Sequence, residues 1–501
     1  MSDVESAAAT VVVEAPSNAM TSLRVRARHA AFWALTGYTT CQVLRFASFM
    51  VFARLFADEK AVLGLMALAT IFMQGLAMLT DMGLGHAVLQ NPRGDEARFL
   101  NTVWTVQVLR GAILWLAALI GAYPFAAFYE QPQLASMIMV VGASALISGF
   151  NSTRLQAASR HLRLGRLNLI EIGCQLIALM TTLIWSYYER SIWALAAGWL
   201  ISVTAKMLLS HCTLPGHPNR FCWDRAAARS LCRFGGWIFL STTVTFWAGQ
   251  LDRLLFAKLL PMDLFTDYHY AVLIIASVAM ALGHVISSVV FPLYARVLDS
   301  GQQLGPVYYR VRGTVLTAGA WIFAGFMAGG SAAVDLILPP KYAAAGWMLE
   351  VLAGGAWFFL IEATNGYALL ARGEPRWLCI AGAVKLVGMA ICVPLGYVAF
   401  GLWGAILGYA ASESLRYSIT ACAAHRRGLR GWPQDLGLSL LIATAAACGC
   451  ATDLPTARWH DSAALRALMI FVVVTLIFVP AGLRVLSAHR ALNRRAEQPA
   501  T

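Results

Sequence analysis

Charge is what this sequence has least of. Only 13% of its 501 residues are Asp, Glu, Lys or Arg, while 59% are hydrophobic. Soluble proteins carry about 25% charged residues, so a water-facing surface over most of the chain is excluded. Disorder is excluded too, because disordered chains are poor in aliphatic and aromatic residues. Lysine is especially scarce: there are five, at 60, 206, 258, 341 and 385, and none follows a glycine. The phosphate-cradling G-K-[ST] loop is therefore missing, and with it a nucleotide-driven pump. The ten cysteines avoid every segment placed outside below, so no disulfide framework is expected. Cys448 and Cys450 form a C-x-C in an apolar stretch, but a metal site needs more ligands than that. No metal and no cofactor is expected.

What is there is apolar sequence in stretches of about 20 residues, the length of one membrane span. Fourteen candidates run through the chain, at about 30–53, 61–89, 100–123, 134–153, 167–187, 191–210, 235–252, 268–291, 313–334, 346–370, 377–398, 401–422, 435–451 and 464–486. With the N-terminus inside, and with Lys206, Arg416, Arg466 and Arg484 counted with the segments that adjoin their span ends, the inner segments hold 27 of the 38 Lys and Arg and the outer segments 8. Cytoplasmic segments carry such an excess of basic residues, so both termini are expected in the cytoplasm. Glu14 and Pro16 interrupt the only apolar stretch near the start, so residues 1–21 read as a disordered tail rather than a signal peptide. The net charge of +13 follows from this topology and calls for no nucleic acid. Its inner face favours anionic membrane lipid.

A weak internal repeat adds to this plan. A shift of 204 positions lays Val51-Phe-Ala-Arg-Leu-Phe56 on Leu255-Phe-Ala-Lys-Leu-Leu260, and Trp33 on Trp237. Six spans separate the copies, so the halves share one orientation, as in transporters built from parallel repeats. The expected organisation is a tail 1–21, a six-span lobe 22–211, a linker 212–234, a second six-span lobe 235–430, an additional helix pair 431–486 and a tail 487–501.

Outer loops of about five to seventeen residues leave little room for a catalytic domain. The longest, Leu251–Asp267, carries Asp252, Arg253, Lys258, Asp263 and Asp267. An enzyme acting on lipid-linked sugar would use that cluster, although a solvated loop is its commoner meaning. No stretch resembles a selectivity filter or an acidic ring, which disfavours a channel.

Several stretches carry a family resemblance. Asp81-Met-Gly-Leu-Gly-His-Ala-Val-Leu-Gln90 is followed by Phe99-Leu-Asn-Thr-Val-Trp-Thr-Val-Gln-Val-Leu-Arg-Gly111, then by Asn151 and Arg160-His-Leu-Arg-Leu-Gly-Arg-Leu-Asn-Leu-Ile-Glu171. Gln250-Leu-Asp-Arg-Leu-Leu255 and Phe291-Pro-Leu-Tyr-Ala-Arg296 follow in the second half. Over most of residues 22–430 the series resembles the polysaccharide-transporter branch of the multidrug/oligosaccharidyl-lipid/polysaccharide flippase superfamily, the bacterial O-antigen and exopolysaccharide flippases. The resemblance implies an all-α integral membrane protein of about fourteen transmembrane helices, with two six-helix lobes around a central cavity and two extra helices. It implies a location in the bacterial inner membrane and ATP-independent flipping of undecaprenyl-diphosphate-linked oligosaccharide by alternating access. It brings membrane lipids and the polysaccharide polymerase and export machinery as partners. A cation-coupled exporter of a small molecule is the alternative; it requires a carboxylate deep within a span, whereas Asp81, Glu171 and Glu413 read as lying near span ends.

Charges inside spans are costly and usually functional or paired. Arg45, Arg110 and Lys385 are the three cations read as intramembrane, and a diphosphate needs cations to cross a low-dielectric region. They are the candidate substrate contacts. For Arg45 the alternative is snorkelling or a neighbouring partner, and for Lys385 a structural pair with Glu362 or Glu350. Asp81, Arg110 and Glu171 fall at one depth and suggest an ion-pair cluster closing the first lobe, either static or gating. Asp252 and Arg253, at the end of the seventh span, are candidates for the opposing gate, or for a solvated cap. His284 is a candidate proton relay, a hydrogen-bonded core histidine being the commoner role. Among the tryptophans, Trp104, Trp237 and Trp247 are those to inspect for sugar stacking, most others being interfacial.

Overall fold

The computed structural model describes residues 36–37, 39–79, 88, 91, 93–161, 163–225, 227, 243, 246–456 and 463–496. Among the described residues the secondary structure is helical, without strands. The first helices are α1 (39–55), α2 (Ala61–Leu79), α3 (Ala97–Phe128), α4 (Pro132–Gly149), α5 (Leu164–Tyr188) and α6 (Ile192–Cys212). Then come α7 (246–259), α8 (Met262–Val285), α9 (Leu304–Ile337), α10 (Ala343–Ala371), α11 (Arg376–Arg426), α12 (Trp432–Thr456) and α13 (Ala463–Ala496). Ten helices among the described residues are long and apolar enough to cross a membrane. A helix satisfies its backbone hydrogen bonds within itself, which hydrocarbon demands of any spanning segment.

The chain divides into two compact units. One comprises residues 1–51 and 72–243, the other residues 52–71 and 244–501. In the first, α3 packs on α4, α4 on α6, and α5 on α6. In the second, α10 is central, touching α8, α9 and α11, while α12 and α13 pack on each other and both on α9. α8 continues through a π-helical turn, Ile286–Val290, into Phe291–Asp299.

Two details differ from the sequence reading. α7 does not end at residue 252: it runs to residue 259, and α8 starts at Met262. The expected seventeen-residue loop shrinks to a turn at Leu260 and Pro261, because Leu254, Leu255, Phe256 and Ala257 supply apolar helix beyond the Asp252–Arg253 charges. α1 and α7 thus end at Leu55 and Leu259, positions related by the 204-residue shift. The second detail is α11, whose 51 residues break at Phe400 and Gly401. Gly401 has φ 62 and ψ −145, a backbone state that a Cβ disfavours. The two arms fold back so closely that a Cβ on Gly396 would lie 2.1 Å from the Gly404 carbonyl oxygen. α11 is therefore a helical hairpin joined backbone to backbone.

Candidate functional site

In the first unit, polar residues follow one stripe. Gly37, Cys41 and Arg45 recur at four-residue spacing on α1 and its first turn, which places them on one helix face. Gly37 lies against Asn168, whose side chain occupies the space a Cβ would take. From Asn168, Glu171 and Gln175 follow along α5 at helical spacing. Lys206 of α6 reaches Glu171, Nζ to Oε2, at 2.6 Å. Arg45 is exposed and, among the described residues, has no hydrogen bond or ion pair. Gln175 Oε1 is buried and has no hydrogen-bond partner. The stripe thus holds two cations and one carboxylate, and the Arg45 guanidinium has no partner among the described residues.

Arg110 is half-buried on α3 and donates to the Ala77 carbonyl in the last turn of α2, 2.5 Å away. A cation there complements the negative end of the helix dipole. Asp81 lies outside the described residues. The Glu171 carboxylate is held by Lys206, a partner not expected from the sequence. The sequence reading had counted Lys206 among charges at the inner end of a span.

The second unit holds a network of different character. Lys385, in the first arm of α11, pairs with Glu413 of the second arm at 2.5 Å. Arg416 pairs with Glu362 of α10 at 2.6 Å and approaches Glu413 at 3.7 Å. Lys385 also lies over the Tyr409 ring and Arg416 over that of Phe359, at 5.7 and 5.5 Å. Glu362 and Glu413 are each 2% exposed and Lys385 9%. Two acids and two bases cancel, which is what burial of charge requires. Lys385 is thus partnered by Glu413 rather than by Glu362 or Glu350, the structural partners the sequence had offered as the alternative to a substrate contact; Glu350 accepts from the Ser331 hydroxyl and backbone. Nor does Glu413 lie near a span end: it is buried midway along the second arm of α11.

Asp252 and Arg253 form no helix end. Asp252 is buried and accepts the Tyr268 hydroxyl at 2.9 Å, while Arg253 donates to Gln250 Oε1 at 2.8 Å. His284 is exposed in the last turn of α8, and its carbonyl accepts the Ser287 and Ser288 hydroxyls. Trp104 is buried between Phe150 and Phe221, Trp247 is partly exposed, and Trp237 lies outside the described residues. A third charge group went unnoticed in the sequence. Lys60 meets Asp267, and Lys341 meets Asp58, where the α1–α2 corner joins α8 and the start of α10. Hydropathy alone reads all four as loop charges.

Residues 51–345 match the polysaccharide biosynthesis protein family across more than half of the chain. The chain belongs to this family. Among its curated relatives, the teichuronic acid biosynthesis protein TuaB of Bacillus subtilis is 20% identical over 326 residues, 64% of this chain and 66% of the relative. The lipopolysaccharide biosynthesis protein WzxC of Escherichia coli is 19% identical over 300 residues, 59% of each chain. The matched segment thus spans less than two thirds of either relative's length. The fold of this family member is shared with the lipid II flippase MurJ in its inward closed conformation, at a TM-score of 0.68 and 12% identity over 90% of this chain and 98% of that one. It is also similar to an inward-facing multidrug resistance transporter of the MATE family, with TM-score 0.56 and 13% identity over 79% and 95%. The chain is a multi-pass membrane protein of the polysaccharide biosynthesis protein family.

Proposed function

We propose that the protein flips undecaprenyl-diphosphate-linked oligosaccharide across the bacterial inner membrane, without ATP and by alternating access, for export of a surface polysaccharide. The proposed chain crosses the membrane fourteen times, as two six-span halves and a final pair, with both termini cytoplasmic. Family membership, relatives named for teichuronic acid and lipopolysaccharide biosynthesis, and the fold of a lipid II flippase support this reading.

The observation that carries it is Arg45. The other two proposed cavity cations have protein acceptors: Lys385 is neutralised by Glu413, and Arg110 donates to a backbone carbonyl. Arg45 alone among these three has none among the described residues. A charged side chain at mid-bilayer costs about 2.5–3.5 kcal/mol on insertion scales, and more where it is isolated. A guanidinium there with no partner among the described residues is accounted for if an anion visits it. A diphosphate is such an anion, since a guanidinium binds phosphate oxygens through paired hydrogen bonds. The prenyl chain meanwhile stays in lipid, so only the head requires polar surroundings.

A cation-coupled exporter needs a free carboxylate deep in a span. Glu362 and Glu413 lie deep, but each already has a cation of the chain itself. The test is the sidedness of lipid-linked sugar in spheroplasts, using an impermeant periodate or lectin. Cells lacking the protein accumulate units protected on the cytoplasmic side, and the intact chain restores exposure. Normal exposure without the protein would sink the flippase reading.

A further inference from the structure

We propose that Lys206 is a second, exchangeable ligand of the transported diphosphate, held by Glu171 when the site is empty and released to the anion when it is filled. The proposal rests on reading Arg45 as the diphosphate anchor.

Two ion pairs of similar length differ in their exposure. Lys385 and Glu413 are 11% and 3% exposed in their side chains, a pair locked away from any ligand. Lys206 and Glu171 are 36% and 41% exposed at 2.6 Å, a pair open to exchange. Exposed pairs contribute little net stability, so an incoming anion displaces one cheaply. The pair also lies on the same stripe as Arg45: Glu171 is about one turn along α5 from Asn168, and Asn168 contacts Gly37, two turns before Arg45 on the α1 face. The stripe is assembled by the Gly37–Asn168 contact of α1 with α5, independently of any charge.

The charge balance gives each residue a role. A diphosphate in a phosphodiester-type linkage to sugar carries two negative charges, and Arg45 answers one. Lys206 answers the second once it leaves Glu171. Glu171 then repels the anion, so its return to Lys206 favours release. Glu171 is on this view a positioning residue that keeps the site from holding its substrate too tightly. A pair that served only to join α5 and α6 would have no such asymmetry.

That asymmetry is the test. Binding of an undecaprenyl-diphosphate-linked monosaccharide, which carries the two charges counted above, to the full-length protein in nanodiscs is measured by tryptophan fluorescence, with undecaprenol as the uncharged control. Lys206→Gln weakens diphosphate binding about tenfold, the loss of one charge-assisted hydrogen bond. Glu171→Gln tightens it about threefold or more, and Lys206→Arg keeps it near the wild-type level. Undecaprenol binding does not change in any variant. If Lys206→Gln and Glu171→Gln weaken binding alike, the pair is structural and the proposal is overturned, while loss of binding in Arg45→Gln still supports the anchor. If Arg45→Gln leaves diphosphate binding intact, the anchor reading itself fails. Thermal unfolding of each variant separates lost folding from lost binding, and opposite signs in two equally folded variants admit no structural explanation.

Discussion

Lys60 and Asp267 are 207 positions apart in the chain, yet the Lys60 ammonium lies 3.0 and 2.9 Å from the two carboxylate oxygens of Asp267. The same ammonium donates to the Lys341 carbonyl at 3.0 Å and stands over the Tyr342 ring. Lys341 in turn pairs with Asp58. These contacts explain why residues 52–71 belong to the second unit while the preceding part of α1 belongs to the first.

Asp267 is only 1% exposed, so removing its cation leaves a buried carboxylate unpaired. Lys60→Met is expected to lower stability by about 3 kcal/mol, the range for breaking a buried pair. Asp267→Asn should cost less, because the amide oxygen still accepts from Lys60. Thermal unfolding in detergent measures both, and equal effects would contradict this account.

The α1–α2 corner also comes close enough to α8 for a covalent link. A Cβ on Gly64 would lie 2.5 Å from Thr266 Oγ1. Cysteines at both positions fit the Cβ separation of about 3.5–4.5 Å that disulfides require. The Gly64→Cys/Thr266→Cys double variant should cross-link under copper phenanthroline. Export should stop on oxidation and return on reduction, if alternating access requires this corner to leave α8. Undiminished export by a fully cross-linked protein would show that it stays attached throughout.

The Lys385–Glu413 pair predicts strong non-additivity. Either Lys385→Met or Glu413→Gln alone should destabilise by about 3–5 kcal/mol, since each strands a buried charge. The double variant should recover much of that loss, giving a coupling energy of about 1–3 kcal/mol in a double-mutant cycle. Simple addition of the single losses would show that the two do not act as a pair.

In the α11 hairpin, Gly404 has no room for a side chain. A Cβ there would sit 2.0 Å from the Gly396 carbonyl oxygen, a backbone atom that cannot swing aside. Gly404→Ala should destabilise by about 1–3 kcal/mol through overpacking. Gly382 has open space around its Cβ position, so Gly382→Ala should be tolerated. Similar melting points for the two variants would refute the close approach.

Between α10 and α11, Glu374 is hydrogen-bonded by Trp377 at 3.0 Å and paired with Arg427 at 2.8 Å. Desolvation pushes its carboxyl upward, but those hydrogen bonds and the charges of Arg427 and Arg376 outweigh it and hold it below the ordinary value. A depressed carboxyl stabilises the fold above its unfolded pKa of about 4.3. That contribution fades as pH falls through the folded pKa. Glu374→Gln should therefore melt lower than wild type at pH 7, the difference narrowing below about pH 5. A constant difference across that range would exclude the linkage.

The helical plan was legible in the sequence because long apolar runs and their punctuating charges record a bilayer directly. Partners were not. Lys206 and Arg416 read as charges at the inner ends of spans, since hydropathy along one helix is blind to a carboxylate on the next. The structure gives them Glu171 and Glu362. Asp252–Arg253 read as a helix end because two adjacent charges usually meet water. Tyr268, sixteen residues on, supplies the hydrogen bond that lets Asp252 stay buried and α7 continue. Arg45 was legible as a lone cation in a span, but that it has no hydrogen bond or ion pair among the described residues is visible only in three dimensions.

Arg312 is fully buried on α9. It bonds Thr364 of α10 at 2.8 Å and the Gly431 carbonyl at 3.1 Å, and its counter-charge is Asp435 of α12 at 2.7 Å. Ribosomes add residues in order, so this arginine is made well before the acid that neutralises it. During synthesis α9 must wait with an uncompensated guanidinium until α12 emerges. The last helix pair is accordingly no removable appendage: a chain stopped after residue 430 would carry a permanent charge defect at the heart of its second unit, and the cell's membrane quality control would meet it as an unfinished protein.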